Sequence, residues 1–146
     1  MTPALICLAL AVYYEARSEP LLGQVAVAEV ILNRVHDPAY PNNICEVVHE
    51  GGTARYRCQF SYWCDGKSEI PAESRAWRRA KVITKLTYSG VLTAGIGHAT
   101  NYHADYASPY WRDQMELVAT IGRHNFSSKA ARQLLPEPHR QPNCPS

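Results

Sequence analysis

The sequence predicts a mainly helical α+β fold in one compact domain with a small sheet or hairpin. Three observations carry this. Long apolar segments with helix-start signals fill the first third of the chain. A third segment, Ala72 to Tyr88, has helical spacing, and a β-branched, alternating segment follows it. A length of 146 residues suits a single core, and 46% apolar with 19% charged residues describes an ordinary globular chain. The expected division is one main domain over 1–128 and a C-terminal segment over 129–146.

The first helix is expected from Pro3 to Arg17, stopped before Pro20, with Thr2 as N-cap and Pro3 in the first turn. Ala4 to Tyr14 is apolar without a break, but it lacks a basic lead and is too short to span a bilayer. It therefore reads as a buried helix of the mature protein, with no export signal. A second helix, Leu21 to Val35, has almost no polar face and should be central. Its exceptions, Gln24, Glu29 and Asn33, each need a partner. Asn43 and Glu46 resemble a capping box for a short helix from Ile44 to Glu50, closed by Gly51-Gly52. Cys58 to Trp63 is aromatic and β-prone, with a turn at Asp65-Gly66. Gly95 to Asp105 reads as loop or edge strand, Ser108-Pro109 as a helix start running to about Met115, and Leu117 to Phe126 as a strand. The proline-rich tail from Pro136, Cys144 included, is expected to be disordered.

The formal charge of +2 and a pI near 8.3 are weaker than nucleic-acid modules usually show. A mild positive bias suits an anionic polymer such as a bacterial wall. Five cysteines leave one over. Cys7 reads as a small buried hydrophobe, a Cys58–Cys64 or Cys45–Cys58 bridge is open, and reduced thiols are expected. Their spacings fit no zinc ribbon or finger.

Glu15 ends the apolar run, with Ala11 and Leu8 one and two turns below it on the same face. A carboxyl at the rim of such a surface is desolvated, which favours the neutral acid that glycosidic cleavage requires. The commoner role of a helix-end Glu, pairing with a neighbour such as Arg17, stands beside this reading. Glu19, one turn on, is the natural second carboxylate, and Glu29 reads as a structural acid bonded to backbone or tyrosine. In Gln59-Phe60-Ser61-Tyr62-Trp63, planar hydrogen-bonding groups alternate with aromatic faces, a mixture that suits sugars or else a core strand. His98, His103 and Asp105 form the one metal-like cluster, against the alternative of a cleft lined by Tyr102, His103, Asp105 and Tyr106. No metal is assigned, because the spacing is not HExxH. His124 reads as structurally hydrogen-bonded. There is no GxSxG elbow, Walker loop or GxGxxG, and no signature supports a Cys64–His103 nucleophile pair.

Taken in order, these segments resemble one family. Ala11 to Pro20, Gly23 to Val35, Ile44 to Val48, Cys58 to Gly66, Ala99 to Tyr106 and Ser108 to Trp111 are similar to the successive blocks of the SleB-type cell-wall hydrolases, which include the spore cortex-lytic enzymes. The likeness covers roughly residues 5 to 126. Ser18 and Tyr14 depart from the Gly found there in many or some members. The resemblance implies a lysozyme-like fold related to resuscitation-promoting factors and lytic transglycosylases. It also implies cleavage between N-acetylmuramic acid and N-acetylglucosamine with Glu15 as acid and base.

The same resemblance places Gln59, Phe60 and Ser61 along the glycan groove. Trp63, Tyr102, His103, Asp105 and Tyr106 are the further expected substrate contacts. A transglycosylase closing a 1,6-anhydro ring needs no second carboxylate, whereas a muramidase would call on Glu19. The rivals are a metal-dependent amidase or peptidase using His98, His103 and Asp105, and a wall-binding module without chemistry. No organic cofactor, nucleic acid or membrane insertion is expected, and the chain reads as a monomer. It would act at the wall, either released from the cytoplasm as a phage-type enzyme or as a fragment of an exported one.

Overall fold

The computed structural model describes residues 1–52, 57–104 and 115–129. Four helices, α1 (Pro3–Ala16), α2 (Leu21–Val35), α3 (Ile44–Val48) and α4 (Ser74–Tyr88), pack against one another and against a three-stranded sheet. A 3-10 turn, Ser61–Cys64, lies between α3 and α4. The strands β1 (Asn101–Ala104), β2 (Met115–Ile121) and β3 (His124–Lys129) are antiparallel in the order β1-β3-β2.

Local chemistry accounts for the helix starts. The Thr2 hydroxyl accepts from the Leu5 N–H at 3.3 Å, and Pro3 occupies the first turn, where a missing N–H costs nothing. Asn43 caps α3 by accepting from the Glu46 N–H at 2.9 Å. α2 is central as expected, with Val25 to Ala28, Val30 and Ile31 buried against α1, α3 and α4. The three polar exceptions named from the sequence, Gln24, Glu29 and Asn33, all find partners. Gln24 donates to the Glu19 carbonyl at 3.0 Å, and Asn33 donates to the carbonyls of Gly97 and Ala99 at 2.9 and 2.8 Å. Glu29 accepts from the Ala94 N–H and the Thr93 hydroxyl, so it organises the loop after α4.

Three expectations are corrected. Reduced thiols, with Cys7 a mere small hydrophobe, give way to two disulfides, Cys7–Cys45 between α1 and α3 and Cys58–Cys64. Sequence spacing does not reveal a pairing across 38 positions that forms only when the two helices dock. Cys58 to Trp63 is not a strand. The second bridge holds its cysteines at a Cα–Cα distance of 6.0 Å, whereas six extended residues would span about 20 Å, so the segment must coil. The single strand expected over Leu117 to Phe126 is a hairpin, β2–β3, reversed at Gly122 with φ of 58°.

The expected helix from Ser108-Pro109, Asp105, Tyr106, and the tail with Cys144 lie outside the described residues. Among the described residues no helix is long and apolar enough to cross a membrane.

Candidate active site

Glu15 occupies the last turn of α1, half-buried where that helix meets β1 and the 3-10 turn. The apolar residues beneath it, Leu8, Ala11 and Val12, are fully buried, so one side of its carboxyl faces core rather than water. From β1 the Tyr102 hydroxyl donates to Glu15 Oε1 at 2.6 Å. β1 places Tyr102 opposite Phe126 on β3, and its ring rests between Phe126 and His124, with centroids 5.7 and 5.0 Å away. The sheet thus fixes the direction of the hydroxyl.

Burial raises the pKa of Glu15 above its ordinary value, while the Tyr102 hydrogen bond and the positive charge of Arg34 hold it back. The result is a carboxylic acid made easier to keep protonated, yet provided with two groups that stabilise its anion. Because Oε1 already accepts from Tyr102, the acid proton is directed to the other oxygen. Tyr102 itself is pushed well above the usual phenol value by burial and by the neighbouring carboxylate, so it remains a donor.

Tyr62, on the 3-10 turn, stacks on Tyr14 with ring centroids 4.7 Å apart, and its hydroxyl is buried without a hydrogen-bond partner among the described residues. Burial first, then the charge of Glu15, raises its pKa strongly. The Cys58–Cys64 bridge closes the short segment that carries it.

The expected substrate contacts divide. Gln59 and Ser61 are exposed, and Trp63 is half-buried, stacked on His49 at 3.5 Å between centroids. Phe60 is only 2% exposed, so its ring belongs to the core and cannot form the groove surface, contrary to the expectation for it. Its alternation with Gln59 and Ser61 is that of a coiled segment with one face inward. Tyr102 meets Glu15 directly, and His103, half-buried on β1, has Nε2 3.4 Å from Asn125 Nδ2. Asp105 and Tyr106 lie outside the described residues.

Glu19 is engaged at the hairpin turn. Its Oε1 accepts from the Arg123 N–H at 2.9 Å and lies 3.5 Å from His124 Nδ1, docking the α1–α2 connection on the hairpin turn. These contacts give Glu19, the expected second carboxylate, an anchoring role at the hairpin. His98 is exposed in the turn after Gly97, and among the described residues no three His, Cys, Asp or Glu side chains gather into a metal-binding group.

The residue-level reading missed Arg34, and it took Tyr62 only as one aromatic face of its segment. Arg34 is 3% exposed and donates from Nε to the Thr100 carbonyl at 2.7 Å. The one signal available was its position in an otherwise apolar helix. The site so defined sets one desolvated carboxyl beside a phenol, on a helical scaffold with a small sheet.

A cell wall hydrolase family profile matches residues 18–127, and the chain belongs to that family. A spore cortex-lytic enzyme of Halalkalibacterium halodurans is 37% identical over 119 residues, which cover 82% of this chain and 33% of the relative. The chain thus spans about a third of the length of that relative. Among solved structures, the catalytic domain of the Bacillus cereus SleB protein is similar at a TM-score of 0.68 and 35% identity, covering 86% of this chain and 89% of that one. The catalytic domain of a germination-specific lytic transglycosylase SleB from Bacillus anthracis is similar at 0.69 and 34% identity, covering 88% and 97%. The mainly helical α+β fold is therefore that of SleB catalytic domains, as the sequence predicts.

Proposed function

We propose that this chain is a lytic transglycosylase that cleaves peptidoglycan glycan strands between N-acetylmuramic acid and N-acetylglucosamine, with Glu15 as its sole acid and base. The observation that carries this reading is the half-buried Glu15 carboxyl, raised in pKa and held by Tyr102, while Glu19 is committed elsewhere. Family membership and the likeness to the germination-specific lytic transglycosylase of Bacillus anthracis support it.

In the reaction, neutral Glu15 gives its proton to the glycosidic oxygen as the bond to the muramyl C1 breaks. An oxocarbenium-like sugar and a Glu15 carboxylate result. The carboxylate then takes the proton of the muramyl 6-hydroxyl, whose oxygen bonds to C1 and closes the 1,6-anhydro ring. Glu15 ends protonated and no water is consumed. Gln59, Ser61, Trp63, Tyr102 and His103 are the proposed glycan contacts within the described residues, with Asp105 and Tyr106 beyond them. The two disulfides support action outside a reducing cytosol, at the wall itself.

Mass spectrometry of muropeptides released from sacculi tests the proposal. Anhydro ends are expected from the wild type and none from Glu15→Gln. Reducing ends would assign a hydrolytic muramidase instead, and full activity in Glu15→Gln would remove Glu15 from the mechanism.

A further inference from the structure

Arg34 is a buried cation with no ion-pair partner among the described residues. It is 3% exposed, Nε is spent on the Thr100 carbonyl at 2.7 Å, and Nη1 is buried without any hydrogen-bond partner. Among the described residues the ion pairs are Arg17–Glu73, His124–Glu19 and Lys129–Asp37, and none includes Arg34. Its guanidinium lies over the rings of Tyr40 and Phe60, at 5.1 and 5.5 Å, which shield it from water. Taking a lone guanidinium out of water is costly, and aromatic faces offset part of that cost only. The carbonyl that holds it belongs to Thr100, two residues before Tyr102, on the strand that delivers the phenol to Glu15.

We propose that Arg34 is a positioning residue for Glu15. Its fixed, buried charge is the counter-ion that Glu15 acquires only when it has given up its proton. Burial favours the neutral acid, and while the proton is in place the cation is uncompensated. In the transition state a carboxylate forms in a medium poor in water, where a fixed opposite charge counts for far more than in solvent. The titratable groups facing Glu15 are consistent with this arrangement. Tyr102 from β1 and Tyr62 from the 3-10 turn are phenols held neutral by burial, and Arg34 from α2 is the positive charge that favours the Glu15 anion. Glu19 is turned to the hairpin, and Arg17 is paired at the surface with Glu73.

This inference rests on Glu15 being the acid, and a test must separate the two. Loss of anhydro products in Glu15→Gln comes first, since retained activity there would sink the catalytic assignment itself. With that in hand, the Glu15 carboxyl is titrated by carbon-13 NMR in the wild type, Arg34→Met and Arg34→Lys, beside kcat and KM across pH. Removing the charge is expected to move the Glu15 titration and the alkaline limb of kcat to higher pH. It should also lower kcat by roughly tenfold or more with KM little changed. Arg34→Lys should stay close to the wild type in both titration and limb. A folded Arg34→Met with an unmoved Glu15 titration overturns the proposal. Should Arg34→Met fail to fold, Arg34→Lys decides: if it folds but is as inactive as Glu15→Gln, the fork shape of Arg34 matters and its charge does not.

Discussion

The Tyr102 hydroxyl and the Glu15 carboxyl, 87 positions apart in the chain, meet in a 2.6 Å hydrogen bond that joins the last turn of α1 to the first strand. The bond favours the carboxylate, so it opposes the burial that favours the acid. Tyr102→Phe removes that opposition. The Glu15 pKa should rise further, the alkaline limb of the rate profile should move up, and the maximum rate should fall. A hydrogen bond to a charged group is worth about 1.5–3 kcal/mol, hence roughly a 10- to 100-fold loss. Rates of muropeptide release across pH check both the fall and the direction of the limb.

Burial of Glu15 also links stability to pH. Its pKa in the folded chain lies above the ordinary 4.5, so the folded state holds this proton more tightly than the unfolded one. The contribution is intact below pH 4.5 and is lost as pH rises from there through the folded-state value. Glu15→Gln, which cannot ionise, should therefore be more stable than the wild type at neutral pH. That gain should vanish in acid. Urea unfolding of both proteins at pH 4 and pH 7 measures it, and a larger gain at pH 4 would contradict the burial argument.

The disulfides should contribute unequally. By loop-closure entropy the Cys7–Cys45 bridge, across 38 positions, is worth about 4 kcal/mol, and Cys58–Cys64, across 6, about 2 kcal/mol. The shorter bridge shapes the segment that holds Tyr62 beside Tyr14 near Glu15. Paired serine substitution at 7 and 45 is expected to lower the unfolding midpoint most while sparing activity in the cold. The pair at 58 and 64 should lose activity with a smaller change in stability. Thermal unfolding with parallel assays distinguishes the two.

Glu19 is an anchor, and it leaves little space at the turn it holds. A Cβ at Gly122 would stand 2.6 Å from Glu19 Oε1 and 2.8 Å from Pro20 Cδ, at a φ of 58° that disfavours any side chain. Gly122→Ala should cost about 1–3 kcal/mol by chemical denaturation. Glu19→Gln keeps an acceptor for the Arg123 N–H, so anhydro products are expected within a few-fold of the wild-type rate. A loss as complete as that of Glu15→Gln would return Glu19 to the chemistry.

Much of this protein is written locally. The Thr2-Pro3 start of α1, the apolar circumference of α2 and the Asn43 cap depend on neighbours within a few residues, so the helices are legible from the chain alone. So is the desolvated setting of Glu15, since Leu8, Ala11 and Val12 lie on its own helix. The tertiary structure decided what stands around that carboxyl. Tyr102 reaches Glu15 because β1 pairs with β3, Glu19 is drawn away because the hairpin turns at Gly122, and Cys7 finds Cys45 when α1 docks on α3. Arg34 is buried for the same reason, under rings contributed by two later segments. Periodicity reports which face of an element turns inward. It carries no information on which distant side chain will meet that face, and that meeting sets the hydrogen bonds and charges on which the chemistry of Glu15 depends.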